Sequence, residues 1–193
     1  MNLDHRLYRE GILSFAFIYK AFEGAWVAAI KPSAPTSPRI KSALQGLYST
    51  PLLRTPQLIK DLDYFFGSIP YFLDEPRTFQ RSRSAAHIRR AISEKPHLVI
   101  AYAYNYYMAL FAGGRVLKNH ISRAQGFFPK RGQMTVEECR LAGTNLFSFE
   151  IEKGKEEMLR ASFKAALVDL ERSLTAEEMN GSPPSNWMQE EAF

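Results

Sequence analysis

Residues 96–118 constrain the fold of this chain more than any other stretch. Between residues 98 and 112 the only polar side-chain groups are the amide of Asn105 and tyrosine hydroxyls, which predicts a helix that is buried nearly all round. The stretch is shorter than the ~20 apolar residues that a membrane-spanning helix needs. Pro96 suits a first helical turn, and Gly113 and Gly114 leave room for a ligand or another backbone to come close. We therefore expect this helix to form the wall of a pocket.

A helical repeat of apolar residues continues through the rest of the chain. Near the C-terminus, Leu159, Phe163, Leu167 and Leu170 fall on one helical stripe, and no stretch alternates between apolar and polar residues as a half-buried strand does. The sequence therefore predicts an all-α fold. The predicted helices cover residues 7–30, 39–47, 55–66, 76–93, 96–122, 135–143 and 153–174, and a last helix begins at residue 187.

Local signals place two of the helix starts. Thr55 is the predicted N-cap of the third helix, with Pro56 at its first position. Thr135 and Glu138 have the spacing of a capping box. Residues 32–38 are rich in proline, which cannot continue a helix, so we expect a loop there.

Composition indicates one domain and excludes several classes of protein. A chain of 193 residues that is 46% hydrophobic supports one core and is too short to expect two, so we predict a single domain over residues 1–193. The 25 basic and 20 acidic residues leave a net charge of +5, which suits carboxylate ligands or an acidic protein surface and is too small for nucleic-acid binding. The one cysteine, Cys139, suits a reducing compartment. With no signal-peptide segment and no predicted membrane span, the expected location is the cytoplasm.

Four stretches resemble the heme oxygenase family, in the family's order. Residues 96–118, with Ala-Tyr-Ala-Tyr before Gly-Gly and Val-Leu-Lys after it, resemble the distal helix whose glycines let it kink over heme. Residues 13–23 are similar to the family's second helix, residues 58–67 to its Asp-Leu-x-Phe-x-x-Gly stretch, and residues 145–151 with Phe163 and Lys164 to its aromatic turn and next helix. The resemblance implies a heme-oxygenase-like multi-helical bundle. It also implies binding of heme and, with electrons from a reductase, its opening by O₂ to biliverdin, CO and iron.

The same resemblance implies functional roles for particular residues. Heme contacts fall on Tyr104, Gly113, Gly114 and Lys164, and Lys164 matches a lysine that pairs with a heme propionate. Tyr106 and Leu110 fall at catalytic positions: Tyr106 stands where an arginine is common, and Leu110 where the family has the aspartate of its distal water network. Because a leucine side chain cannot accept a hydrogen bond, we expect Leu110 not to order that water.

The ends of the chain also depart from the family pattern. The family's proximal histidine lies on a helix before the stretch matched by residues 7–23, so no residue here matches that iron ligand. The helix that closes the pocket begins at residue 187 and has few residues left before the end. These departures predict a domain truncated at both ends, in which Phe15, Tyr104 and Leu110 face water, and which is marginally stable or forms a homodimer.

Several readings of the function remain open on the sequence. The first is the family's reaction on heme. The second is a repurposed apolar pocket that acts as a cofactor-free enzyme or binding protein for a hydrophobic small molecule in specialised metabolism, and the third is a nonfunctional fragment. Metal sites are disfavoured because no two histidines lie at helical spacing and the inner helices offer little beyond Glu23. Cys139 is better explained by packing than by nucleophilic catalysis, and the tyrosines fit a core as well as a pocket.

Overall fold

The computed structural model describes residues 5–67, 79–124, 126–152, 154–176 and 178, with the backbone alone for residues 79–82. Within these residues every regular element is helical, which confirms the all-α prediction. The α-helices are α1 (His5–Ile30), α2 (Pro38–Leu47), α3 (Thr55–Phe66), α4 (Phe79–Glu94), α5 (Leu98–Ala103), α6 (Arg115–Arg123), α7 (Val136–Ala142) and α8 (Glu156–Arg172). Two π-helical turns, Tyr104–Met108 and Leu110–Gly114, join α5 to α6, and two 3₁₀ turns cover Thr50–Leu52 and Asn145–Phe147.

Helix α1 lies at the centre of the bundle. It packs along α3 and α4 and also contacts α2 and α5. Its buried residues follow the helical repeat, and Phe22 and Trp26 are at most 1% exposed. The Trp26 indole N–H donates to the carbonyl of Leu44 over 3.1 Å, which fixes α2 against α1 and satisfies the one polar group of a buried tryptophan.

Helix α1 is also long and apolar enough to cross a membrane, by length and composition alone. Half of its most apolar window is buried inside the fold, and the core helix of a soluble protein passes the same test. Among the described residues, α1 is therefore weak evidence against the prediction that no stretch spans a bilayer. The cytoplasmic location stays a prediction.

The predicted N-cap residue is correct at α7 and wrong at α3, although α3 covers the predicted residues. Thr135 and Glu138 form the predicted capping box, in which each residue accepts a hydrogen bond from the other's backbone N–H. Thr55 does not cap α3 but is its first residue. The carboxylate of Glu23 on α1 instead accepts the backbone N–H groups of Arg54 and Thr55, so the cap comes from another helix. The predicted helix at residue 187 lies outside the described residues, as do residues 76–78 of the fourth predicted helix.

The predicted long helix over residues 96–122 is present as α5, the two π turns and α6, which we call the π-containing helix (residues 98–123). The expectation of burial nearly all round is wrong, because Asn105, Ala109 and Gly113 are exposed along one side. Tyr104 is only 4% exposed, so its predicted exposure to water is also wrong, since its ring faces the core side of the helix. Phe15 is 47% exposed, as predicted, and Leu110 is half-buried.

Candidate functional site

A cavity of about 370 Å³ opens between α1 and the open side of the π-containing helix. Three elements line it. Helix α1 supplies Tyr8, Gly11, Ile12, Phe15 and Tyr19; the π-containing helix supplies Asn105, Tyr106, Ala109, Leu110, Gly113, Gly114 and Leu117; and the second 3₁₀ turn (Asn145–Phe147), called the 3₁₀ turn from here on, supplies Leu146 and Phe147. Apolar side chains and glycines dominate, and the polar side-chain groups are tyrosine hydroxyls and one amide. A concave, apolar site with few polar groups suits a hydrophobic ligand.

Tyr19 accounts for part of the irregular backbone above the cavity. Its hydroxyl donates to the backbone carbonyl of Tyr106 over 2.9 Å, and the two rings pack with centroids 5.5 Å apart. The same carbonyl also accepts the N–H of Ala109. A side chain that inserts into the helical hydrogen-bond ladder stabilises a distorted turn, and π turns are frequent at functional sites.

The two glycines have different surroundings. A Cβ atom on Gly114 would lie 3.1 Å from Cδ1 of Phe147 and 3.2 Å from Cδ1 of Leu110, which is tighter than ordinary van der Waals contact. A Cβ atom on Gly113 would meet no atom within 4 Å. Gly114 therefore lets the 3₁₀ turn pack against the helix, whereas Gly113 leaves open space in the cavity wall.

Asp61 on α3 holds the 3₁₀ turn that supplies Leu146 and Phe147 to the cavity. It is 0% exposed, and its carboxylate accepts the backbone N–H groups of Asn145 over 2.6 Å and Leu146 over 2.8 Å, together with the Asn145 side-chain amide over 2.9 Å. Burial raises the pKa of Asp61 to about 6, although these hydrogen bonds oppose the rise.

Arg54 and Glu23 tie the same region to the centre of the bundle. The guanidinium of Arg54, which is 0% exposed, donates to the carbonyls of Leu146 over 3.2 Å and Ser148 over 2.6 Å. Burial lowers its pKa. The Glu23 carboxylate accepts the Tyr107 hydroxyl over 2.9 Å in addition to the α3 backbone. One buried polar set therefore joins α1, α3, the π-containing helix and residues 146–148.

Sequence reasoning missed two of these residues and misjudged the third. The sequence indicates Glu23 only as the last residue of the stretch that resembles the family's second helix and as a weak candidate metal ligand, and gives no sign that it caps α3. Asp61 was within reach, because it is the aspartate of the Asp-Leu-x-Phe-x-x-Gly stretch. Arg54 has no local sequence signal, since the carbonyls it binds on residues 146 and 148 lie more than 90 positions along the chain.

The titratable groups of the cavity are neutral phenols. Burial raises the pKa of Tyr106 to about 12, and it raises the pKa values of Tyr8 and Tyr19 as well. The Tyr8 and Tyr19 hydroxyls donate to the backbone carbonyls of Gly143 and Tyr106. The described residues contain no group of three or more histidine, cysteine, aspartate or glutamate side chains that could hold a metal ion. The cavity therefore offers apolar contact and hydrogen-bond donors but no carboxylate or imidazole in its described lining.

A model of the heme oxygenase family matches residues 1–179 of the chain. The chain belongs to the heme oxygenase family. Two solved heme oxygenases share its fold, each with 21% identity over 92% of the chain. They are heme oxygenase-2 from Synechocystis, in complex with heme and NO, with a TM-score of 0.67 over 64% of that chain, and heme oxygenase 2 from Chlamydomonas reinhardtii, without heme, with a TM-score of 0.68 over 74% of that chain.

Curated relatives in the heme oxygenase family are longer than this chain. The heme-binding protein HMX1 of Saccharomyces cerevisiae is 26% identical over 82% of the chain, which covers 53% of that protein. The heme oxygenase of Porphyra purpurea is 28% identical over 86% of the chain, which covers 61% of that protein. The chain thus spans between about half and three fifths of the length of these relatives.

The structure brings together four of the six site residues predicted from the family. Tyr106, Leu110, Gly113 and Gly114 line the cavity. Tyr104 lies on the same helix but is buried in the core. Lys164 is half-buried on α8 and is not among the described lining residues. The functional roles of all six remain predictions.

Proposed function

We propose that this heme-oxygenase-like chain binds heme in the cavity between α1 and the π-containing helix. The proposal rests on an apolar, tyrosine-lined cavity whose wall is open at Gly113. Tyr106 and Leu110, to which the family resemblance assigns catalytic positions, belong to the same lining. The names of two relatives support heme as the ligand, since HMX1 is a heme-binding protein and the Synechocystis enzyme was solved with heme.

The described residues fit the macrocycle better than they fit the iron. Phe15, Tyr106, Leu110 and Phe147 offer apolar and aromatic contact to a flat ring. No described lining residue is a histidine, cysteine or methionine, so none supplies the usual ligand of heme iron. Lys164 lies outside the lining, so its proposed contact with a propionate requires a ligand that extends beyond the described cavity.

Oxidative opening of heme, with electrons from a reductase, is the further step that family membership implies for this chain. When bound, heme supplies the redox-active iron for that reaction with O₂. Leu110 and Ala109 present only hydrocarbon to the cavity, so they exclude water rather than order it. The phenol of Tyr106, with a pKa of about 12, is protonated at neutral pH, so it can donate a hydrogen bond to a ligand but does not act as a base. Heme binding is therefore better supported than turnover.

A repurposed pocket for a hydrophobic small molecule is the second candidate, whether as a cofactor-free enzyme or as a binding protein of specialised metabolism. It is favoured by Leu110, which places hydrocarbon in the lining where the family has an aspartate. We also propose that the protein is cytoplasmic, that it accepts electrons from a reductase and that it forms a homodimer. Their tests are fractionation, reductase pull-down and sedimentation.

Hemin titration of the full chain, followed at the Soret band, tests the proposal. We expect saturable one-to-one binding, lost when Gly113→Phe fills the open space of the cavity and kept in Ala112→Phe, where an exposed neighbour outside the described lining changes in the same way. Iron-free protoporphyrin should bind nearly as well, because the described lining has no histidine, cysteine or methionine to ligate iron and burial keeps its tyrosines protonated. Unsaturable binding, or equal binding by both variants, would refute heme binding in this cavity. If an apolar dye binds the cavity and neither hemin nor protoporphyrin displaces it, the result would favour a pocket for another hydrophobic molecule.

A further inference from the structure

A second cavity lies between α6, α7 and the loop that joins them. Its volume is about 510 Å³, within the range of about 300–1,000 Å³ that small-molecule sites occupy. It shares no described lining residue with the first cavity. The two approach each other where the ring of Phe127, in the second cavity, packs edge-on against Tyr8, in the first, with centroids 5.4 Å apart.

The floor of the second cavity is apolar. Phe127 and Cys139 are each 3% exposed, and Phe128 and Met134 are half-buried beside them. Val136 also belongs to the lining and is 76% exposed, so an apolar surface continues from the floor to the mouth. Covering such a surface with a hydrocarbon chain removes apolar area from water and so stabilises the complex.

The rim of the same cavity is basic. Arg123 and Lys130 are exposed lining residues, and neither makes an ion pair with any residue that the structure describes. Arg140, also in the lining, is paired with Glu137 over 2.7 Å. The neighbouring carboxylate of Glu138 is engaged by the backbone N–H and hydroxyl of Thr135, over 2.7 and 2.8 Å.

The charge balance at the rim therefore favours an anionic group. The described lining contains three cationic side chains and no carboxylate, and the two acids of α7 are occupied by their own partners. An exposed cation is worth little alone, but two cations that form no ion pair with a described residue, in the lining of one apolar recess, favour an anionic head group there.

We propose that the second cavity binds a single-chain amphiphilic carboxylate. The hydrocarbon chain covers the floor formed by Phe127, Phe128, Met134 and Cys139, and the carboxylate lies at the rim with Arg123 and Lys130. The ligand is a single dissolved molecule and not a membrane surface, because a recess of this volume has room for one hydrocarbon tail. The proposal does not depend on heme binding, since the two cavities have different described linings.

Calorimetric titration of the full chain with decanoate tests this proposal, with 1-decanol as the uncharged probe. We expect saturable one-to-one binding of decanoate and much weaker binding of decanol. A pair of variants at the exposed Val136 gives the sharpest comparison. Val136→Glu adds a negative charge at the mouth and should weaken decanoate binding roughly fivefold. Val136→Lys adds a positive charge there and should strengthen decanoate binding by a similar factor. The double variant Arg123→Gln with Lys130→Gln should weaken it more than tenfold.

Two further measurements test where the hydrocarbon tail of decanoate binds. Cys139 is the only cysteine of the protein, so a thiol reagent reports on this floor alone, and saturating decanoate should slow its reaction. Gly113→Phe, which fills the first cavity, should leave decanoate binding unchanged, as should Arg172→Gln on the exposed surface of α8. Loss of decanoate binding in Gly113→Phe, equal affinity in the two Val136 variants, unchanged reactivity of Cys139, or absence of saturable binding would each overturn the proposal.

Discussion

Replacing Asp61 by asparagine tests how strongly the fold penalises a charge beneath the first cavity. Asparagine keeps the size of the side chain and does not titrate. The comparison between wild type and Asp61→Asn therefore isolates the ionisation of this one carboxyl group from all other titrations of the chain.

The magnitude follows from the pKa of Asp61. Its ordinary value is 3.8, and burial raises it to about 6 in the folded chain, so the ionised form costs about 3 kcal/mol of folding free energy. The folded state binds the proton more tightly than the unfolded state. The contribution of Asp61 to stability is therefore fully present below pH 3.8 and is lost as the pH rises through about 6. About 2 kcal/mol of this loss falls between about pH 4.5 and about pH 7.5.

Urea unfolding of both proteins across that pH range measures the effect. We expect the free energy of unfolding of wild type, minus that of Asp61→Asn, to fall by about 2 kcal/mol from the acidic to the neutral end. A difference that rises with pH would refute the reasoning. It would mean that the three N–H groups which contact Asp61 stabilise its carboxylate more than burial destabilises it, and that the folded pKa lies below 3.8.

Three further predictions concern the walls of the first cavity. Tyr19→Phe removes the hydroxyl that binds the Tyr106 carbonyl and should cost about 1 kcal/mol in urea unfolding, while porphyrin affinity falls; an unchanged affinity would show that this bond does not shape the cavity. Gly113→Ala should stabilise the helix by up to about 1 kcal/mol, whereas Gly114→Ala should gain less or lose stability because its Cβ meets Phe147, and equal melting temperatures would contradict this. With heme loaded and ascorbate supplied, single-turnover absorbance should show no biliverdin from wild type, because Leu110 orders no water; clean biliverdin would show that another residue does.

Local signals predicted the helices well and their connections poorly. The helix predicted over residues 55–66 matches Thr55–Phe66, because Pro56 and the apolar spacing act within a few residues. Its cap could not be predicted, since the Glu23 carboxylate that accepts Thr55 N–H lies 32 positions away. Tyr106, Leu110 and Gly113 recur at i, i+4 and i+7, which is the spacing of one helical face, and the structure places all three in the cavity lining.

The errors in the π-containing helix have a physical cause. Apolar residues on all sides predicted burial on all sides, but burial also needs an element to pack against each side. The described part of the chain leaves the side with Asn105 and Ala109 open. The first π turn could not be predicted from periodicity either, because the Tyr19 hydroxyl that binds its Tyr106 carbonyl lies 87 positions away.

Two hydrogen bonds join α1 to the π-containing helix, the two helices between which the first cavity opens. One is from Tyr19 on α1 to the Tyr106 carbonyl, and the other is from Tyr107 to Glu23 on α1; each is 2.9 Å long. The first bond joins two residues of the cavity lining and the second lies in the adjoining core, so together they limit how far α1 and the π-containing helix can separate. The cavity should therefore select ligands by thickness more than by polarity: a flat ring enters between the walls, whereas a bulky, non-planar molecule of the same hydrophobicity must first break a buried hydrogen bond.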